Sequence, residues 1–333
     1  MFKLTLLKVM SIASTKYVGR FAPSPTGPLH FGSLAAAVAS YCDAKANNGK
    51  WLLRMEDLDT PREMVGAADD ILCTLEAFGF EWDGTSFKSK ILYQSQRSDI
   101  YETYLTNLKQ KGFIYICTCS RKEIADSSML TGIDGAIYPK TCFNKMLLNS
   151  TSEKRAAASR MAIGLVDGGS WRIHVDDAQY IRFLDAIQGK ISQQLNRDVG
   201  DFILKRKDGI FAYQLAVVVD DFEQGVTHIV RGADLLDSTP RQIYLQQLLE
   251  FTTPIYAHLP VAVNAQGEKL SKQTLAQAIT PEASPALVFE ALQFLGQDPP
   301  QEIKNATLAE VWRWAIDNWT LSDVPKNRAL FKC

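Results

Sequence analysis

Apolar and polar positions fall into alternating short-strand and helical rhythms over the first third of the chain. Tyr17-Val-Gly-Arg-Phe21 reads as a short strand, and Pro23, Pro25, Gly27 and Pro28 then forbid regular structure. From Leu34 to Asn48 the pattern is Ala-rich and helical, with Gly49 where a residue just past a helix end belongs. Trp51 to Met55 predicts a buried strand that leads into Glu56-Asp-Leu-Asp59. Thr60 as N-cap, Pro61 at the first helical position and Glu63 closing a capping box predict a helix to about Phe78, stopped at Gly79. Strand, helix, strand, helix in this order argues for an α/β fold, a parallel sheet with crossover helices.

Gln96 to Lys111 predicts another helix, with Ile100, Tyr104 and Leu108 on one face. The rhythm then changes. Residues 112–200 hold three cysteines, a polar stretch and Gly168-Gly169, and read as an insertion with its own small α+β fold. Strand signals return at Phe211 to Val219 and at Val226 to Val230. A helix follows from Pro240 to Glu250, then a last strand from Leu259 to Val263. Gly267-Glu-Lys-Leu-Ser-Lys272 is a polar loop, and from Ser284 the pattern is helical, with Val311, Trp312, Ala315 and Trp319 on one face. This divides the chain into residues 1–15, expected to be a disordered extension; 16–111 and 201–265, two halves of one sheet domain; 112–200, the insert; and 266–333, the lysine loop with a helical region.

Bulk properties narrow the classes. The 333 residues suffice for two or three domains, and 46% hydrophobic with 22% charged residues is ordinary for a globular chain. No apolar run approaches the roughly 20 residues of a membrane span, so no membrane partner is expected. The apolar, dibasic Met1–Met10 lacks a clear small-residue cleavage site and reads as a ragged extension. Net charge is −1, so a nucleic acid would have to be held by a local patch. Two small basic clusters exist, Lys205-Arg206-Lys207 and Lys326, Arg328, Lys332. Six cysteines in this length do not make a disulfide scaffold, and a reducing cytoplasm fits best. Cys42 and Cys73 fall on predicted helices and are expected in the core. Cys117-Thr-Cys119 with Tyr138-Pro-Lys-Thr-Cys142 supplies three thiolates and a phenol, a zinc signal that leaves the fourth ligand open between Tyr138, water and another residue.

No Gly-x-x-x-x-Gly-Lys and no Gly-x-Gly-x-x-Gly occurs, so a nucleotide site must rest on another device. Arg20-Phe-Ala-Pro-Ser-Pro-Thr-Gly-Pro-Leu-His-Phe-Gly-Ser33 is a strand, a stiff turn and a helix start near His30. A helix N-terminus attracts phosphate, His30 can donate to a phosphate oxygen, and Gly32 lets an adenine ring lie against bare backbone. About 240 residues later, Lys269-Leu-Ser-Lys-Gln273 places two lysines on a loop that can bring positive charge onto polyphosphate. Each motif alone is weak. Their order, with strands leading into both, is the stronger signal.

The two motifs resemble those of the class I aminoacyl-tRNA synthetases. His30-Phe-Gly-Ser33 stands at the His-Ile-Gly-His motif of that class and Lys269–Gln273 at its Lys-Met-Ser-Lys-Ser motif. Arg20–Ser33, Arg54-Met-Glu-Asp-Leu-Asp59 and Val230-Arg-Gly-Ala-Asp-Leu235 resemble the glutamyl branch. Three features are similar to the glutamyl-Q tRNA(Asp) synthetase family within it: Ser33 in place of the second His, the block Ala212-Tyr-Gln-Leu-Ala-Val-Val-Val-Asp-Asp221, and only residues 274–333 after Gln273, which leaves no room for an anticodon-binding domain. The resemblance spans roughly residues 16 to 320.

What it implies is a Rossmann-type doubly wound sheet with an inserted zinc subdomain, in a monomeric enzyme that activates L-glutamate with ATP and Mg²⁺ without needing tRNA. Glutamate then passes to queuosine at the first anticodon position of tRNA(Asp), whose anticodon stem-loop would dock on the insert. Glutamate carries two carboxylates and one ammonium, and Arg20, Glu56 and Arg231 supply charges of the required sign at the carboxyl ends of strands, where ligands of parallel sheets gather. Following the family, Arg20, Phe21, Ala22, Pro23, Ser24, Glu56, Tyr213 and Arg231 form the amino-acid pocket. His30, Gly32, Ser33, Lys269, Ser271 and Lys272 meet ATP, with His30 and Lys272 catalytic. Cys117, Cys119, Tyr138 and Cys142 hold one structural zinc. The rival readings are a truncated glutamyl-tRNA synthetase charging tRNA(Glu), a small-molecule adenylyltransferase, and a non-catalytic paralogue.

Overall fold

The computed structural model describes residues 16–84, 91–148, 168–177, 179–270 and 278–332. The expected extension 1–15, Ser271 and Lys272 lie outside them. The first strand, β1 (Val18–Phe21), pairs in parallel with β2 (Lys50–Met55), and β2 with β3 (Ile91–Tyr93). Between β1 and β2 runs α1 (Phe31–Ala46), which buries one long Ala-rich face. The turn after α1 uses Asn48 in the left-handed conformation (φ 51°), not Gly49. Gly49 is needed for a different reason: a Cβ there would stand 2.7 Å from the Tyr17 carbonyl oxygen.

The helix expected from Thr60 is divided. Thr60–Arg62 is one 3-10 turn, Glu63 is extended, and the α-helix starts only at Ala67, capped by the left-handed Gly66. Glycine at the N-cap position outweighs the capping-box signal, because the chain must turn before it can wind. Cys73 on that helix is exposed, against expectation, while Cys42 is buried as expected.

The other expected misfit is informative. Phe211–Val219 is not a strand: Tyr213–Glu223 is a helix, with Leu215 through Asp221 all buried. A helix buried nearly all round reads like a buried strand, since neither shows a polar face. It packs on the Ser98–Gln110 and Thr239–Leu249 helices, forming one core against the sheet. A second core lies around α1, with Tyr41, Trp51, Phe80 and Trp312 edge to face or stacked at 4.9–5.4 Å. The C-terminal helix Leu308–Asn318 contributes Val311, Trp312 and Ala315 to it, and Trp319 follows with its indole N–H on Asp43. Helices thus cover both faces of a parallel sheet, as expected.

The stretch expected as insert, 112–200, contains β4 (Ile114–Cys117), the small hairpin β5 (Thr131–Gly132) and β6 (Gly135–Ala136), then β7 (Ser170–Ile173) and the hairpin β8 (Tyr180–Asp185) with β9 (Gly189–Gln194); β10 (Phe202–Lys205) follows it, beyond the expected boundary. β4, β7 and β10 form an antiparallel sheet with β7 central. The β8–β9 hairpin instead leans on the catalytic sheet, with the Ala186 N–H on the Tyr256 carbonyl at 2.8 Å. The second half of that sheet is β11 (His228–Gly232), parallel to β12 (Ile255–Leu259). The Thr227 N–H donates to the Val18 carbonyl at 2.9 Å and seats this half beside β1. Pro260 ends β12, and β13 (Val261–Val263) pairs with β14 (Ala329–Phe331). Among the described residues no helix is long and apolar enough to cross a membrane.

Candidate active site

The carboxyl ends of β1, β2 and β11 open into one cavity of about 460 Å³. Its walls include Arg20, Phe21, Ala22, Pro23, Ser24, His30, Gly32, Ser33, Glu56, Tyr213, Arg231 and Lys269. Every described residue expected to hold glutamate or ATP therefore faces a single space. Residues 22–29 are pinned to its rim: the Glu56 N–H donates to the Pro23 carbonyl at 2.9 Å, and the Met64 N–H to the Pro25 carbonyl at 3.0 Å.

Arg20 and Arg231 are both nearly buried, and each is fixed from behind. Arg20 Nε donates to Asp221 Oδ1 at 3.2 Å, and Arg54 Nη2 donates to the same oxygen at 2.8 Å. Arg54, fully buried, also donates to Glu56 Oε1 at 3.3 Å and to Gln224 Oε1 at 2.7 Å. Burial alone would raise the Asp221 carboxyl; the two guanidiniums overcome this and hold it below the usual carboxylate range. Glu56 goes the other way: desolvation dominates Arg54 and Arg20, so its carboxyl is raised. Arg231 Nη1 donates to the Tyr213 hydroxyl at 3.4 Å, and desolvation raises that phenol.

His30 caps α1, and its Nδ1 accepts from the Ser33 N–H at 3.3 Å. In the neutral ring the proton is then on Nε2, 3.1 Å from the Ser33 hydroxyl oxygen. Leu270, in the lysine motif, and Ala278–Ile279 lie directly against this cap. The His30 backbone bridges to Ala278, the Ile279 N–H donates to the Leu29 carbonyl, and a Cβ on Gly32 would sit 3.5 Å from the Leu270 carbonyl oxygen. The helix start and the lysine loop therefore meet despite their separation in sequence. Lys269 Nζ is paired with Asp234 Oδ2 at 2.6 Å. Gly232 makes room for that carboxylate, since a Cβ there would meet Asp234 Oδ1 at 2.4 Å. A second cavity of about 390 Å³ shares Ala22, Ser24, Glu56, Tyr213 and Leu235 with the first and reaches Phe211, Arg62 and Arg206.

In the insert, the sulfurs of Cys117, Cys119 and Cys142 lie within 4.8 Å of one another. A tetrahedral zinc with bonds of about 2.3 Å spaces its sulfurs about 3.8 Å apart. Cys119 and Cys142 are at 3.5 Å, and the Tyr138 hydroxyl is 3.8 Å from Cys119 Sγ. Burial would raise the Cys142 thiol, but hydrogen bonds from Tyr138, the Thr118 backbone and Cys119 pull it down to about 6. Desolvation pushes Cys119 up to about 11. Three sulfurs so placed suit a metal ion, and Tyr138 lies beside them, buried beneath the Arg172 guanidinium at 4.3 Å from its ring. The basic clusters carry carboxylate partners: Lys205 with Glu102, Arg206 with Asp208, Arg328 with Asp237 and Lys332 with Glu290.

Sequence reasoning missed Asp221, Asp185 and His258, which lie behind the cavity wall. The signal available for Asp221 was a carboxylate pair closing an uninterrupted apolar run.

The family model of class I tRNA synthetases (E and Q), catalytic domain, matches residues 16–305. A glutamyl-Q tRNA(Asp) synthetase of Dechloromonas aromatica is 54% identical over 314 residues, covering 94% of this chain and 97% of that protein. The protein of the same name from Neisseria meningitidis serogroup B is 51% identical over 311 residues, covering 93% and 98%. Among solved structures, a glutamate tRNA ligase from Elizabethkingia meningosepticum in complex with its amino acid superposes with a TM-score of 0.71 at 26% identity, covering 95% of this chain and 67% of that one. The glutamate-tRNA synthetase of Elizabethkingia anophelis gives 0.73 at 25% identity, covering 96% and 68%.

Proposed function

This chain belongs to the class I tRNA synthetases of the E and Q group, and from that membership we infer that it activates L-glutamate as an adenylate and transfers it to queuosine in tRNA(Asp). The observation that carries the reading is the single cavity in which Arg20, Glu56, Tyr213 and Arg231 adjoin the His30 helix start and the lysine loop. The arginines receive the substrate's carboxylates, and Glu56 its ammonium. The α-carboxylate attacks the α-phosphorus of ATP and pyrophosphate leaves. No protein nucleophile is needed, so positioning and charge stabilisation carry the step. His30 Nε2–H and Lys272 stabilise the charge that grows on the phosphate oxygens, and Lys269 exchanges Asp234 for phosphate. Mg²⁺ entering with ATP would supply further positive charge against the triphosphate. Activation proceeds before tRNA binds.

In the second step a hydroxyl of the queuosine cyclopentenediol attacks the adenylate carbonyl and AMP leaves. The second cavity, which shares the Glu56–Tyr213 wall, offers the acceptor a way in. The insert around β4, β7 and β10 serves as the platform for the anticodon stem-loop. Its Cys117, Cys119 and Cys142 sulfurs, with Tyr138, hold one zinc that braces the insert and does not touch the reaction. Free thiols throughout the described residues suit a reducing cytoplasm.

The test is to present queuosine-bearing tRNA(Asp) and tRNA(Glu) side by side with ATP and labelled glutamate. Label on tRNA(Asp), lost when the transcript lacks queuosine, supports the reading. Label on tRNA(Glu) alone would replace it with the rival aminoacylation, and no glutamate-dependent ATP–pyrophosphate exchange would favour a non-catalytic paralogue.

A further inference from the structure

Arg231 differs from the other buried arginines of the site in the company it keeps. Arg20 and Arg54 share the Asp221 carboxylate. Arg231 donates only to uncharged acceptors: Nε to His258 Nε2 at 3.1 Å, Nη2 to Thr239 Oγ1 at 2.8 Å and to Gln242 Oε1 at 2.7 Å, and Nη1 to Tyr213. Gln242 is turned the right way by Gln214 Oε1, which accepts from its amide nitrogen at 3.0 Å. Among the described residues no carboxylate is paired with Arg231. A buried cation so held lacks its anion, and a substrate carboxylate is the anion that fits.

A carboxylate stands one ring away. Asp185 Oδ2 lies 2.6 Å from His258 Nδ1, with both side chains fully buried. Oδ1 of the same carboxylate accepts the N–H groups of Ile187, Gln188 and His258 at 3.0, 2.8 and 3.1 Å. Nδ1–H must therefore point at Asp185, and in the neutral ring Nε2 is left as an acceptor for Arg231. A proton on Nε2 would set two cations 3.1 Å apart. Burial keeps the imidazole neutral, its pKa lowered to about 4. Asp185 ends β8, so the hairpin that leans on the catalytic sheet carries a residue of the site's support.

We propose that Asp185 and His258 are positioning residues for Arg231: together they aim its guanidinium into the cavity while denying it a direct counter-charge, so that the site demands a carboxylate where glutamine would offer an amide. The proposal rests on the reading that this cavity binds glutamate.

ATP–pyrophosphate exchange by the full chain tests it, with D185N, H258A and H258Q beside the wild type. In D185N the three backbone N–H groups keep the amide oxygen at the Oδ1 position. The amide nitrogen then faces His258 Nδ1 and drives the ring proton to Nε2. Losing an interaction equal in ground and transition states raises KM and spares kcat. The expected result is a KM for glutamate raised about tenfold or more in D185N and H258A, with kcat and the KM for ATP within about threefold, and a lower preference for glutamate over glutamine. H258Q, which can present Oε1 where Nε2 stood, should recover most of the loss. An unchanged KM for glutamate in folded D185N, or H258Q no better than H258A, would overturn the proposal, as would kcat and both KM values moving together. Thermal unfolding monitors each variant, and if H258A does not fold the near-isosteric D185N decides. A wild type without glutamate-dependent exchange would sink the underlying reading and this proposal with it.

Discussion

Arg20 Nε and Asp221 Oδ1 meet at 3.2 Å across 201 positions of sequence, and both side chains are 4% exposed. That contact joins the end of the first strand to the helix Tyr213–Glu223 and sets the direction of the cavity's first arginine. Asp221→Ala would remove the carboxylate that Arg20 and Arg54 share and leave Glu56 as the partner in Arg54's remaining ion pair. Removing one partner of a buried pair costs about 3–5 kcal/mol. Denaturant unfolding should show a loss of that size, with a raised KM for glutamate at temperatures where the variant is folded. Unchanged stability would mean that the two arginines find solvent or another anion.

Glu56→Gln keeps the shape of the wall and removes its charge. The KM for glutamate should rise at least tenfold, about 1.4 kcal/mol, with the KM for ATP little altered. Because burial raises the Glu56 carboxyl, wild-type glutamate binding should weaken on acidification at a pH above the ordinary carboxylate range, and the Gln variant should lack that limb. An identical acid limb in both proteins would remove Glu56 from the ammonium site.

Lys272→Ala should lower pyrophosphate exchange by about two orders of magnitude or more while the melting temperature stays put, since its assigned work is charge stabilisation in the transition state. An exchange rate equal to wild type would leave Lys269 as the lysine that meets the triphosphate.

Much of this site was legible from one-dimensional pattern because its contacting residues sit where strands end. Arg20 lies next to the end of β1, Glu56 follows β2, and Arg231 lies near the end of β11; punctuation by Pro and Gly marks those ends in the sequence. The supporting layer was not legible. Asp185, Asp221 and His258 are polar residues whose partners lie up to 201 positions away; the apolar run before Asp221 hints at its burial, but nothing local names its partners or separates Asp185 from a surface Asp. The helix Tyr213–Glu223 reads as a strand because it has no polar face to give it a period. The hairpin β8–β9 falls inside the stretch that reads as insert, yet its turn is held by the catalytic sheet; leaning on a neighbouring layer leaves no mark on strand alternation.

None of Cys117, Cys119 and Cys142 lines the cavity, so their assigned role is separable from activation. Stripping metal with a strong chelator, or Cys142→Ser, should remove about one zinc per chain, lower thermal stability and reduce transfer to tRNA. Pyrophosphate exchange should persist, since none of the three cysteines lines the cavity. Elemental analysis and the two activities read this together. Loss of exchange in step with the metal would tie the insert to the adenylation site.

Acid should act through His258. Its pKa is about 6.5 in the unfolded chain and about 4 in the folded one, chiefly because burial penalises the charged ring. Between those values the unfolded chain binds a proton that the folded chain refuses, so stability rises with pH across that window and is lost as pH falls through it. The loss amounts to roughly 3 kcal/mol at the acid end. The groups facing His258 are Asp185, Arg231, Arg20 and the Tyr256 ring. Burial pushes the Tyr256 phenol up to about 12, so it stays neutral over this range. Asp185 is held below the usual carboxylate range by its bonds to His258 and the Gln188 N–H, which overcome its burial, so it stays ionised there and its own contribution is lost only at lower pH, in the same direction. Denaturant unfolding of wild type and H258Q from pH 4 to 8 isolates the effect: the advantage of the wild type should be level above pH 7 and shrink from about 6.5 downward. A difference that stays constant to pH 4 would mean that the imidazole titrates in the fold as it does in the unfolded chain, and one that grows as pH falls would mean that the fold holds the ring protonated, so that its Nε2 is not the acceptor that holds Arg231.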